Sequence, residues 1–154
     1  MKHTFNDGGR SAAGYKGRSG DCVARSIAIA TEIPYQEVYD ALNELAKKER
    51  PRKGVKRSSS RDGVHRRTLE KYLVSLGWEF IPTMKIGQGC KVHLRETEFP
   101  MEGRYIVSLS KHYSAVIDGE IHDTHDPSRG GRRCVYGYWQ KKKNEDAHGN
   151  GRNA

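Results

Sequence analysis

Three residues of this 154-residue chain could carry out nucleophilic chemistry together, and they occur in the order Cys22, His112, Asp123. Cys22 follows Gly20-Asp21 and opens an apolar run in which Val23, Ile27 and Ala30 recur at helical spacing. A thiol at a helix start feels unpaired backbone N–H groups and the positive end of the helix dipole, which favour thiolate over thiol. His112 would then act as its base and Asp123 as the group that orients the base.

The link between His112 and Asp123 is a matter of register. Asp118-Gly119 separates the strand-like runs His112–Ile117 and Glu120–Thr124, and this pair suits a type I′ turn, which needs positive φ at both positions. A two-residue turn sets Ile117 opposite Glu120, Val116 opposite Ile121 and Ser114 opposite Asp123. Alternation then puts His112, Ser114 and Val116 on one face with Ile121, Asp123 and His125, and makes Asp123 the diagonal neighbour of His112. A slip of one residue would send Asp123 to the other face. Asp126, before Pro127, is the second-ranked acid. His122 falls on the face away from His112 and His125, so at most two imidazoles and one or two carboxylates could meet; with no HExxH or CxxC spacing, neither a metal nor a cofactor is expected. No Gly-rich nucleotide fingerprint occurs.

The elements that must position these groups read as follows. Residues 1–20, rich in Gly and Ser, predict an irregular arm, with Asp21 or Ser19 as N-cap of a first helix over Cys22–Thr31. Pro34 suits the first turn of a second helix lined by Tyr35, Val38, Tyr39, Leu42 and Leu45. Residues 49–63 are a basic, Ser-rich loop. A third helix starts near His65, carries Leu69, Tyr72, Leu73 and Leu76, and ends at Gly77 as its C′ residue. Strands are expected at Trp78–Ile81, Arg104–Leu109, His112–Ile117, Glu120–Thr124 and Cys134–Trp139. Helices first and antiparallel strands later give an α+β class, with one domain over 1–140 and a polar, disordered tail over 141–154.

Composition bounds the rest. A mass of 17.4 kDa suits one domain with a single core, although only 34% of residues are hydrophobic. Lys and Arg number 28 against 19 acidic residues, a net charge of +9 that favours anionic partners or serves solubility alone. The basic segments 49–63 and 129–133 could contact phosphates or an acidic protein, or be solvated faces. Three cysteines without a pairing pattern argue against a disulfide framework and for a reducing cytosol. Residues 1–15 lack the apolar core of a secretory signal, no run could cross a bilayer, and a cytoplasmic protein without membrane contact is expected. A Cys on an apolar helix is more often a small buried hydrophobe than a nucleophile. Cys90, on a loop near His93, lacks an activating helix start, and Cys134 reads as a core residue opening a strand.

Gly20-Asp21-Cys22-Val23-Ala24-Arg25 leading into an apolar helix resembles the nucleophile segment of papain-like cysteine peptidases, most nearly that of bacterial double-glycine leader peptidases. His112-Tyr-Ser-Ala-Val-Ile-Asp-Gly resembles their His-bearing strand and turn, and His122-Asp123 or Asp126-Pro127 their acid-bearing segment. The likeness covers about 22 residues. The chain also looks like small proteins of tailed phages, which would place it in a host bacterial cytoplasm. The resemblance implies a helical part carrying Cys22 packed on an antiparallel sheet carrying His112, a Cys-His-Asp triad, and acyl transfer on a protein or peptide substrate. The family usually places a Gln a few residues before the Cys to bind the oxyanion. Positions 16–21 here read Lys-Gly-Arg-Ser-Gly-Asp, so Lys16, Arg18 or Ser19 would have to supply that donor beside the Cys22 N–H. The alternative is a papain-like frame without catalysis that uses its basic surface to engage a host protein or nucleic acid.

Overall fold

Ile106 and Ala115 belong to one hydrophobic cluster, and Val107 and Val116 to another, as expected when alternate residues of a strand point to opposite faces of a sheet that is covered on both. The computed structural model describes residues 1–143. Its elements are β1 (Lys2–Phe5), α1 (Cys22–Thr31), α2 (Tyr35–Ala46), α3 (Arg66–Ser75), β2 (Trp78–Pro82), β3 (Arg104–Leu109), β4 (His112–Ile117), β5 (Glu120–Asp123) and β6 (Gly137–Lys141). The six strands form one mixed, mostly antiparallel sheet in the order β1-β5-β4-β3-β6-β2. The three helices pack on one face over Ile106, Ala115 and Trp139; Leu94, Phe99 and Val135 cover the other. The class is α+β. Among the described residues no helix is long and apolar enough to cross a membrane.

The β4–β5 hairpin has the register that a two-residue turn dictates: Ile117 pairs with Glu120, Val116 with Ile121 and Ala115 with His122. Asp118 and Gly119 take φ of 47° and 77°, the positive values of a type I′ turn. Gly77, at φ 84°, ends α3 as its pattern predicts.

Three expectations are corrected. The segment 1–20 is not wholly irregular: Lys2–Phe5 forms an edge strand parallel to β5, with Phe5 opposite Asp123. That pairing spans most of the chain, so nothing local announces it. The last strand begins at Gly137 rather than Cys134 and runs through Lys141, into the residues read as tail, because Trp78–Pro82 offers partners as far as Lys141. Residues 144–154, which hold most of the expected tail, lie outside the described residues.

The third correction concerns cysteine. Cys90 and Cys134 form a disulfide, with Cα atoms 5.9 Å apart across 44 residues of sequence, within the span a disulfide requires. The segments lie side by side: Leu94 N–H donates to Arg133 O, Val135 N–H donates to Val92 O, and His93 bridges to Cys134. Cys134 is therefore a half-buried loop cysteine rather than a core strand residue. The inference from cysteine count to a reducing compartment does not hold, since disulfides persist where conditions are oxidising. Pairing two of the three leaves Cys22 as the free thiol.

Gly137 shows how tightly β6 is fitted. A Cβ there would strike the Phe80 ring and stand 2.9 Å from the Ile81 carbonyl oxygen, a backbone atom that cannot swing aside. Gly137→Ala is expected to cost about 2 kcal/mol, as overpacking a close contact does. Urea unfolding measures it, and an unchanged midpoint would mean that the Phe80 ring and the β2 backbone at Ile81 both give way without cost.

Candidate active site

α1 lies along β4, and both of its ends are fixed. At its C-terminus, Arg104 of β3 donates from Nε to Ala30 O at 2.7 Å and from Nη2 to Ile29 O at 2.8 Å. A cation on the last carbonyls of a helix satisfies unpaired acceptors and complements the dipole. Arg104 stands opposite Ile117, at the far end of β4 from His112. Gripping α1 at that end brings its first residue, Cys22, to the His112 end.

His112 Nε2 and Asp123 Oδ2 are 2.7 Å apart, and the Ser114 hydroxyl donates to the same oxygen at 2.7 Å. Asp123 Oδ1 accepts the Thr124 N–H at 2.7 Å and faces Arg25 Nη2 at 3.6 Å. Only 3% of the Asp123 side chain and 12% of the His112 side chain reach solvent, so this pair acts in a weakly screened setting. Burial alone would raise the Asp123 carboxyl, but hydrogen bonds from His112 and Ser114 overcome it and hold the group down to about 2. Burial likewise works against a charged His112, yet Asp123 and Cys22 together lift it to about 9.

Nε2 is engaged by Asp123, which leaves Nδ1 as the ring nitrogen that can exchange a proton with the thiol. Burial pushes the half-buried Cys22 thiol up; hydrogen bonding and charge from His112, a backbone hydrogen bond from Tyr113 and the charge of Arg25 outweigh it and bring the group below its ordinary value. The N-cap side chain of α1 makes no capping hydrogen bond, so the first-turn N–H groups remain oriented at the sulfur end. The result is a thiol and an imidazole that each favour the charged form of the other.

The remaining predicted residues are placed as follows. Asp126 is exposed and accepts the Ser128 N–H at 2.9 Å, and the carboxylate that meets His112 is that of Asp123. Ser19 donates to Asp21 at 2.9 Å instead of facing Cys22. Lys16 and Arg18 are exposed, and their carbonyls accept from Arg61 at 3.5 Å and 3.1 Å. None of the three bonds to the thiol among the described residues. The His125 ring lies 5.0 Å from that of His112, tilted by 48°, and ligand atoms of His112, Asp123 and His125 fall within 4.8 Å of one another. These three could offer ligands to a metal ion, but the Arg25 guanidinium beside Asp123 opposes a second cation there.

Two contributors were missed. Asp21, read as an N-cap, is 1% exposed and uses its carboxylate elsewhere: it pairs with Arg25 one turn on, accepts the Tyr35 hydroxyl at 2.6 Å and faces Arg10 Nε at 3.4 Å. Arg25 thereby bridges Asp21 to Asp123 and ties the helix start to the sheet. The signal was present, since Asp21 and Arg25 stand four residues apart with opposite charges on an otherwise apolar helix.

The pairing fixes how Cys22 must react. With the disulfide intact, iodoacetamide meets one free thiol, and at pH 7 its rate follows the thiolate fraction. His112→Ala, or Asp123→Asn, which removes the charge that keeps His112 protonated, should slow alkylation at pH 7, because a smaller share of the thiol is then ionised. As pH rises the rates of the variants converge on that of the wild type, since the thiol ionises in each. Equal rates at pH 7 would show that neither residue acts on the sulfur.

With this geometry in hand, comparisons of the chain with protein-family models, curated proteins and solved structures find no match, so the site stands on its own residues.

Proposed function

We propose that this protein is a papain-like thiol hydrolase or acyltransferase acting on a protein or peptide carbonyl, with Cys22 as nucleophile, His112 as general acid and base, and Asp123 as the orienting group. The observation that carries the reading is the buried Asp123–His112 pair standing beside a thiol at the start of α1. The order of the elements, helices packed on an antiparallel sheet with Cys before His before Asp, is what the resemblance to papain-like peptidases implies.

The steps follow from the protonation states. Cys22 thiolate attacks the carbonyl carbon, and the carbonyl π pair moves onto oxygen, where the Cys22 N–H is one donor at hand. The oxyanion collapses, the carbon–nitrogen bond breaks, and His112 gives the departing amine its proton. A thioester remains on Cys22. Water or an acceptor amine then attacks it, His112 takes the incoming proton, and the thiol leaves as thiolate. Asp123 keeps the ring oriented through Nε2 and stabilises the imidazolium in both steps. The acceptor decides between hydrolysis and transfer.

One observation favours the second reading, a frame of this kind without turnover: Ser19, Lys16 and Arg18 do not bond to the sulfur end, so the side-chain oxyanion donor of the family has no counterpart among them. The two readings separate on a single measurement. An acyl-transferring thiol turned over with p-nitrophenyl acetate releases a burst of about one nitrophenolate per chain, with a thioester on Cys22 visible by mass spectrometry. Cys22→Ala abolishes the burst, and Asp123→Asn slows it. A wild-type protein with no burst and no adduct would leave the non-catalytic frame.

A further inference from the structure

The loop over 49–63, which composition marks only as basic and Ser-rich, is pinned to the helices. Glu49 accepts the Ser58 N–H at 2.7 Å and also the Thr68 hydroxyl. The Ser58 hydroxyl accepts the His65 N–H at 2.8 Å. Ser60 donates its N–H to Asn43 Oδ1 at 2.9 Å and its hydroxyl to Tyr39 O at 2.7 Å. Ser58 and Ser60 are buried, and the bridges Arg52–Val55 and Ser59–Gly63 close the turns between them.

A concavity of about 820 Å³ results, a size that suits a bound ligand. Seven cationic side chains line it: Lys48, Arg50 and Arg52 after α2, Lys56 and Arg57 across the loop, and Arg67 and Lys71 on α3. All seven are exposed, and among the described residues none is ion-paired; the nearby carboxylates Glu44 and Glu70 are taken by Lys47 and Arg66. Glu49, the one acid in the lining, has both oxygens committed to Ser58 and Thr68. Holding so many like charges in one concavity works against folding unless an anion answers them. None of the lining residues belongs to the Cys22–His112–Asp123 site.

We propose that this basin binds the sugar–phosphate backbone of duplex nucleic acid, without reading its bases. The lining has no Phe, Tyr or Trp, so it lacks the stacking platform with which single strands are held. It also lacks the aromatic anchors that dominate protein interfaces. What it does offer is a set of guanidinium forks and ammonium charges, the chemistry that recognises phosphate. Binding of this kind depends on charge and spacing alone.

The test is fluorescence anisotropy of the full chain with a labelled DNA duplex of about 20 base pairs in about 50 mM NaCl. Saturable binding is expected, weakening about a hundredfold by about 200 mM NaCl if four phosphates are neutralised. Arg52→Glu/Lys56→Glu/Arg67→Glu should weaken it at least tenfold. Lys85→Glu/Lys91→Glu/Arg129→Glu makes the same charge change on other exposed positions and should weaken it less than threefold. Circular dichroism confirms that each variant is folded. Cys22→Ala should bind as wild type, which keeps this proposal separable from the thiol chemistry. Equal loss in both triple variants would reduce the effect to net charge and overturn the assignment. So would tighter binding of a single strand of the same length, displacement by poly-glutamate at equal charge, or no binding at low salt.

Discussion

A buried carboxylate is tolerated only when its oxygens are answered, and the candidate site is built around answering those of Asp123. One oxygen takes His112 and the Ser114 hydroxyl; the other takes the Thr124 N–H and faces Arg25. These partners come from β4, from the chain just after β5, and from α1. The requirement to satisfy one anion therefore fixes the hairpin register and the seating of the helix together. Removing a partner from such a cluster leaves an uncompensated charge in a poorly screened place, a loss of about 3–5 kcal/mol in comparable buried pairs. The same demand keeps the imidazole protonated, which is what a neighbouring thiolate needs.

Arg25 carries this constraint from the sheet to the helix start. It stands between Asp21 and Asp123, two carboxylates that are nearly free of solvent, and Arg10 approaches Asp21 from the N-terminal arm. An arginine suits the place because its guanidinium offers several donors in a fixed plane and stays charged. Its Nε is buried without a hydrogen-bond partner, so the bridge is held by the terminal nitrogens alone. The arm is thus a structural part of the site. Asn6 N–H continues the β1 pairing by donating to Asp123 O, and His3 Nε2 lies 3.0 Å from that same oxygen.

Local rules made the central pieces legible. A two-residue turn leaves no freedom of register, so the placing of His112 and Asp123 on one face could be worked out by counting outward from Asp118-Gly119. Cys22 was legible because a Gly- and Ser-rich stretch gives way there to an apolar helical pattern. What escaped were relations between distant segments. β1 pairs with β5 across most of the chain, and Cys90 meets Cys134 only because loops on the second face of the sheet run side by side. β6 begins only at Gly137 because that residue stands opposite Pro82, where β2 ends. Asp21 looked like a cap since Asp before an apolar helix usually is one; only the packing shows its carboxylate turned to Arg25 and Tyr35. The serines of 58–60 looked like ordinary loop polarity, yet two of them are buried anchors.

The same distinction between local and distant relations explains the surplus of positive charge. A net +9 says nothing about where the excess resides. In the fold the cations divide into two populations. Arg10, Arg25 and Arg104 are tied to buried carboxylates or to helix carbonyls, and in these places charge serves to position the helix that bears Cys22. Those that line the basin beside the 49–63 loop are not ion-paired among the described residues, although the loop that presents them is itself firmly anchored. Rigid anchoring of unmatched charge is the reverse of what solubility alone would require, since a solvated charge gains from freedom and dispersal. Order at that surface, where seven cations share the single carboxylate of Glu49, makes an external anion the physically consistent completion.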